Sequence, residues 1–254
     1  MSETPVAGQA WSAQGYARDA GFVPALGAPL LALLNARPGE QVLDLGCGDG
    51  VLTARLMETG AQVTGLEPDP DMARAARARG VQVIEQDAHD PFGAGAYDAV
   101  FSNAALHWMR DAPRVLANAF AALRPGGRLV AEQGGFGNVA AVVTALMAAL
   151  EAGGHKAPAR PVWDFPSVTG QRARLQAAGF AVEQIALIPR PTPLPTGIEG
   201  WLATFAGPFL AAVPEAAREG VLADCTRRLG ALYDPHEGWI ADYMRLRFVA
   251  RKPA

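Results

Sequence analysis

Cysteine, histidine and long apolar runs are all scarce in this chain, and each shortage removes a class of protein. Two cysteines, Cys47 and Cys225, occur in 254 residues, and neither belongs to a Cys-x-x-Cys pair. They cannot build a disulfide framework, which fits a reducing compartment and a cytoplasmic location. The four histidines, His89, His107, His155 and His236, lack ligand spacing with one another or with the cysteines, so no metal site is expected. The longest apolar stretch, 139–150, is about a dozen residues, too short to span a bilayer and suited to a buried helix. The opening MSETPVAGQAW has neither the basic start nor the apolar run of a signal peptide. A basic excess is missing too. The formal net charge of −3 argues against a nucleic-acid surface, and Arg74, Arg77 and Arg79 read as the solvated face of a helix. Neither nucleic acid nor a membrane is expected as a partner, and no oligomeric state is assigned.

What is present is an ordinary globular balance, 50% hydrophobic and 19% charged, enough for one large domain with a substantial core. Residues 1–38 read as a helical lead-in and lid. An aromatic cluster (Trp11, Tyr16, Phe22) precedes a leucine-rich helix over 24–36, which Pro38-Gly39 ends. QVLDL (41–45) is a short apolar run that meets glycines at once, the pattern of a buried parallel strand. Further strands are predicted at 61–67, 81–87, 97–103 and 127–133. Helices are predicted between them and after them at 51–59, 68–80, 112–123 and 139–152. Past a loop, Ser167 is placed as the N-cap of a helix ending at 178, followed by a strand over 180–190. RPTPLPTG (190–197) reads as a proline-rich connector, 198–233 as two or three helices and 242–251 as a final strand. Short buried strands alternating with helical crossovers predict a doubly wound α/β fold. The expectation is a Rossmann-like, mostly parallel seven-stranded sheet with helices on both faces. The chain is expected to divide into the lead-in (1–38), a central core (39–190), a helical cap inserted before the last strand (191–240) and that strand (241–254).

The chemistry concentrates in Asp44-Leu45-Gly46-Cys47-Gly48-Asp49-Gly50, three glycines on alternate positions between a strand and a helix. Glycine lets the backbone turn tightly and lets a ligand approach without meeting a Cβ. An acidic residue, Glu67, ends the next strand, where a carboxylate can accept from both hydroxyls of an adenosine ribose. Two cofactors compete at this point. A dinucleotide site wants Gly-x-Gly-x-x-Gly, yet the third position holds Val51, and Asp44 and Asp49 would repel a pyrophosphate by about 1 kcal/mol each even when solvated. S-adenosylmethionine has no phosphate and carries an ammonium and a sulfonium, which acidic residues favour.

VLDLGCGDG, GLEPDPDM and EQDAHDPF together resemble the successive motifs of class I S-adenosylmethionine-dependent methyltransferases. The resemblance implies that Gly46 and Gly48 line the methionine moiety and that Asp44 holds its amino group. It implies Glu67 on the ribose, Pro68 and Met72 near the adenine, Asp87 at the end of the third strand accepting from the adenine amino group, and the Ala88 amide meeting a ring nitrogen. SNAALHWM, with Tyr16 in the lead-in and the tail Trp201…Asp242-Tyr243…Arg247-Phe248, is similar to the trans-aconitate methyltransferase group, whose members methylate a small carboxylic acid. That implies Asn103 beside the cofactor and His107 and Trp108 facing the acceptor as the catalytic pair. Tyr16, Trp11 and Trp201 are implied lid aromatics whose faces attract the sulfonium, Tyr16 being counted among the cofactor-binding residues, with core packing at least an equal alternative for each.

Methyl transfer from a sulfonium needs alignment more than acid–base help. A carboxylate acceptor would use His107 and the Trp108 indole as positioning donors; a neutral amine or alcohol would need a base, for which His107 is the nearest group. The expected activity is methyl transfer to a small molecule, at a carboxylate oxygen. A nicotinamide-dependent oxidoreductase on the same fold and a non-catalytic S-adenosylmethionine-binding protein are the alternatives.

Overall fold

A computed structural model of the chain describes residues 11–21 and 26–254; Phe22 and the start of the helix expected at 24 lie outside the described residues. By compactness the chain forms two units. The larger holds residues 26–136, 164–188 and 245–254. Its strands are β1 (Gln41–Leu45), β2 (Gln62–Leu66), β3 (Gln82–Ile84), β4 (Tyr97–Asn103), β5 (Leu123–Gly134), most of β6 (Ala181–Pro193) and the end of β8 (Gly238–Arg251). The order is β3-β2-β1-β4-β5-β8-β6, and the two-residue β7 (Tyr233–Asp234) pairs with β8. The first five strands pair in parallel, and β8 joins β5 antiparallel. The sheet is therefore mixed.

Alternation along these strands builds two cores. Leu43, Leu45, Val100, Leu129, Ala131 and Phe248 share one cluster with Val115, Leu116 and Ala119 of the helix Ala112–Ala122 and with Leu175 of the helix Val168–Ala177. Val42, Val63, Ala99, Phe101, Val130 and Val249 pack instead with Leu30 and Leu34 of the helix Ala28–Leu34 and with Leu52 and Leu56 of the helix Val51–Met57. Helices thus cover both faces. The helical insertion precedes β8 as Gly197–Phe205, Gly207–Leu210 and Glu215–Arg228.

Four boundaries differ from the sequence expectation: the last strand begins at Gly238 rather than 242, where it pairs with β7, and three others have a local reason. β3 stops at Ile84 rather than 87, because the Asp87 side chain accepts from the His89 N–H at 2.9 Å and turns its own backbone away from the ladder. β5 starts at Leu123 rather than 127: Tyr97 pairs with Leu123 and Ala99 with Arg128, and a register shift absorbs the Arg124–Gly127 segment. β6 runs on through Pro189, Pro191 and Pro193 rather than ending in a connector. These prolines fall on alternate positions of the outermost strand, so their missing donors can all lie on the unpaired edge.

The smaller unit gathers residues 11–21, 137–163 and 189–244. Its interior is aromatic: Trp201 lies 5.0 Å from Phe205 and 6.2 Å from Trp163, ring centre to ring centre. The Trp201 indole N–H donates to the Tyr243 hydroxyl at 2.6 Å. The helix Ala140–Ala152 follows Val139, a β-branched residue at φ 46°, and Asp242 steadies that start by accepting from the Ala141 N–H at 2.8 Å. Among the described residues no helix is long and apolar enough to cross a membrane.

Candidate cofactor and acceptor site

β1 ends in the glycine loop because three residues there adopt backbone that L side chains avoid: Gly46 at φ 75°, Gly48 at 57° and Gly50 at 81°. The loop is pinned to the next strand, since the Gly46 and Cys47 N–H groups both donate to the Leu66 carbonyl, at 2.8 and 3.1 Å. A Cβ on Gly46 would collide with the Ala105 methyl, and one on Gly50 would lie 2.9 Å from Ala76. A Cβ on Gly48 would meet nothing within 4 Å. Gly46 and Gly50 therefore serve the fold's own close packing, while Gly48 opens onto free space.

Two buried carboxyls flank that space. Asp44 accepts from the Thr53 hydroxyl at 2.7 Å, and its pKa is pushed up to about 7, chiefly by burial, with Thr53 opposing. Glu67, just past β2, accepts from the Gly48 N–H at 3.0 Å and from the Asp69 N–H at 3.1 Å. Burial raises it to about 7 as well, against those two hydrogen bonds. Both carboxyls sit in the range where a nearby cation or donor decides whether they ionise. Asp49 is different. Arg79 donates to its carbonyl at 2.9 Å and its carboxylate at 3.2 Å, so its charge stabilises the loop rather than facing a ligand.

The remaining expected cofactor residues follow the same edge of the sheet. Asp69 caps the helix Pro70–Ala78 through the Asp71 and Met72 N–H groups; Met72 is buried and Pro68 exposed. Asp87 lies beyond the end of β3, not on it. Its Oδ1 meets His89 Nδ1 at 2.6 Å, and His89 Nε2 accepts from the Asp111 N–H at 3.2 Å. The neighbouring Ala88 is buried, its carbonyl taken by Asn118 at 3.0 Å. Asn103, the last residue of β4, lies over Gly27, where a Cβ would approach its amide carbon to 3.2 Å. Ala104 follows at φ 56°, a left-handed turn where β4 delivers the chain to the segment that holds His107 and Trp108. Tyr16 belongs to the smaller unit, where its ring meets Trp11 edge-on at 5.7 Å.

His107 and Trp108 form a short 3-10 turn with Leu106, their rings 5.8 Å apart, and Phe165 stands 5.6 Å from His107 on another side. His107 is 8% exposed. Its Nδ1 accepts from the Gly134 N–H at 3.3 Å, which places the proton of the neutral ring on Nε2. Burial, reinforced by the charge of Arg245, pushes its pKa down to about 3. At neutral pH the ring is an uncharged donor and a very weak base.

Thr53, Arg79 and Arg245 thus shape the site without having been signalled by any motif, and His89 lies within EQDAHDPF, whose resemblance implies no role for it. Each reaches it through a side chain from a separate element, which linear spacing does not reveal.

A Rossmann-like sheet with an open glycine turn and two titratable buried carboxyls suits a nucleoside cofactor that carries positive charge. Comparison with known proteins agrees. Residues 43–131 match the family model described as a methyltransferase domain. The chain is 38% identical over 262 residues to an uncharacterized methyltransferase of Schizosaccharomyces pombe, covering 95% of this chain and 98% of that one. It is 41% identical over 119 residues to the trans-aconitate 2-methyltransferase of Deinococcus radiodurans, over 45% of each chain. Among solved structures, a Bacillus halodurans protein described as a methyltransferase superposes with a TM-score of 0.63 at 18% identity, covering 89% of this chain and 98% of that one; that likeness shows the fold. The chain belongs to the class I S-adenosylmethionine-dependent methyltransferases. Its cofactor is S-adenosylmethionine, and the nicotinamide and non-catalytic alternatives fall away.

Proposed function

We propose that the enzyme transfers the methyl group of S-adenosylmethionine to a carboxylate oxygen of a small-molecule acceptor. The observation that carries this reading is the state of His107: buried, neutral, its Nδ1 occupied by Gly134, and depressed to about pH 3. An amine or alcohol acceptor needs a base near neutrality, and this ring cannot be one. A carboxylate is already ionised there and needs only to be held in line with the methyl group. The cofactor supplies an electrophilic methyl on a sulfonium, so the reaction moves positive charge without a proton.

The chain's own residues then have simple tasks. Asp44 accepts from the amino group of the methionine moiety, and Gly48 leaves room for it. Glu67 accepts from the ribose hydroxyls, Asp87 and the Ala88 amide meet the adenine, and Pro68 and Met72 border it. Asn103 lies beside the methionine end. His107 Nε2–H and the Trp108 indole donate to the acceptor carboxylate. Tyr16 is assigned to the cofactor by the resemblance alone. The relative from Deinococcus radiodurans, named for trans-aconitate, lends support to an acidic acceptor.

The test is release of S-adenosylhomocysteine from the purified chain across a panel of small carboxylic acids, amines and phenols. Turnover confined to carboxylic acids supports the reading, and turnover with amines or phenols alone refutes it.

A further inference from the structure

The end of β5 and the facing part of β8 hold a charged row that the methyl-transfer chemistry does not use. In this antiparallel pair Glu132 stands opposite Arg247 and Gly134 opposite Arg245. By alternation both pairs share the face of Val130 and Val249. Arg247 is committed to Glu132, donating to its Oε2 from Nε at 2.8 Å and from Nη2 at 2.7 Å. Arg245 is two pairs further toward the carboxyl end of β5, and only 5% exposed. A guanidinium does not give up its proton inside a protein, so this is a permanent, largely desolvated cation.

Its neighbourhood points to a ligand. Gly134, directly opposite, is the residue whose N–H holds His107 Nδ1, so the guanidinium and the imidazole are fixed through one backbone position. Among the described residues nothing bonds to Nε2 of that imidazole, although the side chain is more than nine-tenths buried. A fixed cation and an N–H that no described residue accepts therefore stand together where β4 and β5 end. Ligands of open α/β sheets bind at that end. With five donors in a planar fork, Arg245 can keep its contacts within the fold and still offer an edge to an oxyanion.

We infer that Arg245 is an anchor for a second anionic group on the acceptor, a carboxylate or a phosphate ester distinct from the carboxylate that is methylated. The two groups differ because a guanidinium withdraws charge from the carboxylate it holds and makes its oxygens poorer nucleophiles toward the methyl. The acceptor is then a diacid or a phosphorylated acid. The inference rests on the methyltransferase reading and adds a residue and a charge requirement to it.

The test is calorimetric titration of the full chain, loaded with S-adenosylhomocysteine, using glutarate, 3-phosphoglycerate and butyrate as probes. At least one of the first two is expected to bind tenfold or more tighter than butyrate, and which one does so names the second group. That preference is expected to vanish in Arg245→Gln and to shrink in Arg245→Lys, with the affinity for S-adenosylhomocysteine within about twofold of the unmodified chain. A preference unchanged in both variants, or no preference in the unmodified chain, overturns the inference. If Arg245→Gln does not fold, Arg245→Lys decides. Failure of the unmodified chain to bind S-adenosylhomocysteine would overturn the methyltransferase reading itself, so the two failures are distinguishable.

Discussion

The backbone N–H of Gly48 donates to Glu67 Oε2 at 3.0 Å, so the glycine loop and the acidic end of β2 are one hydrogen-bonded unit. The loop owes its shape partly to the carboxylate assigned to the ribose. Glu67→Gln removes the charge and keeps one acceptor oxygen, so only one of the Gly48 and Asp69 N–H groups retains its bond and the other faces an NH2 donor. It is expected to weaken S-adenosylhomocysteine binding by about 10- to 100-fold, in keeping with about 1.5–3 kcal/mol for a hydrogen bond to a charged group, and to lower the melting temperature as well. Calorimetry and thermal melting on the same preparation check it.

The glycines of the loop separate by function. Gly48→Ala has room for its methyl and is expected to cost stability only through the left-handed backbone, about 1 kcal/mol. Its methyl occupies the free space, so cofactor affinity should fall far more than stability. Gly46→Ala drives a Cβ into Ala105 and is expected to lose stability and binding together. Denaturant unfolding beside S-adenosylhomocysteine titration distinguishes the two patterns.

Cofactor affinity is expected to rise with pH. Asp44 and Glu67 carry folded pKa values of about 7, above their ordinary 3.8 and 4.5. The folded chain therefore holds protons that the unfolded chain has lost, and stability present below pH 4 is lost as pH climbs through 7. A ligand ammonium favours ionised Asp44, so binding should release a proton and tighten between pH 6 and 8, by at most about tenfold per unit. The protection S-adenosylhomocysteine gives against melting should grow over the same window. Thr53→Val removes a hydrogen bond that lowers the Asp44 pKa and should move the window upward. Affinity independent of pH in this range would refute the assignment of Asp44.

Much of this site is legible in the sequence, and the parts that are not share a cause. β1 falls at 41–45 as expected because a buried parallel strand followed at once by glycines has few other readings. Glu67 follows from its position after the next apolar run. Asp87 follows only as a motif residue, since the strand expected to carry it stops at Ile84 once its own side chain caps a turn. Arg79 supplies the loop with a partner from another segment, and Arg245 is brought toward His107 only by the hydrogen bond from Gly134, 27 residues along the chain, and the pairing of Gly134 with β8. Periodicity marks which face a residue occupies, not which distant side chain meets it there.

His107 should leave no mark on the pH–rate profile. With its pKa near 3, turnover is expected to show no limb near pH 6.5. His107→Phe keeps a ring beside Trp108 and Phe165 but removes the donor, and kcat/KM is expected to fall about 10- to 100-fold, the range of a hydrogen bond to a charged group. Cofactor affinity should be unchanged. A limb near pH 6.5 that disappears in His107→Phe would instead make the ring a base.

The chemical stability of the product tests the central claim most directly. Acceptor labelled from methyl-tritiated S-adenosylmethionine by the unmodified chain should release volatile tritiated methanol in mild alkali, as a carboxyl methyl ester does. Label that withstands alkali would place the methyl on nitrogen, carbon or an ether oxygen and contradict the account.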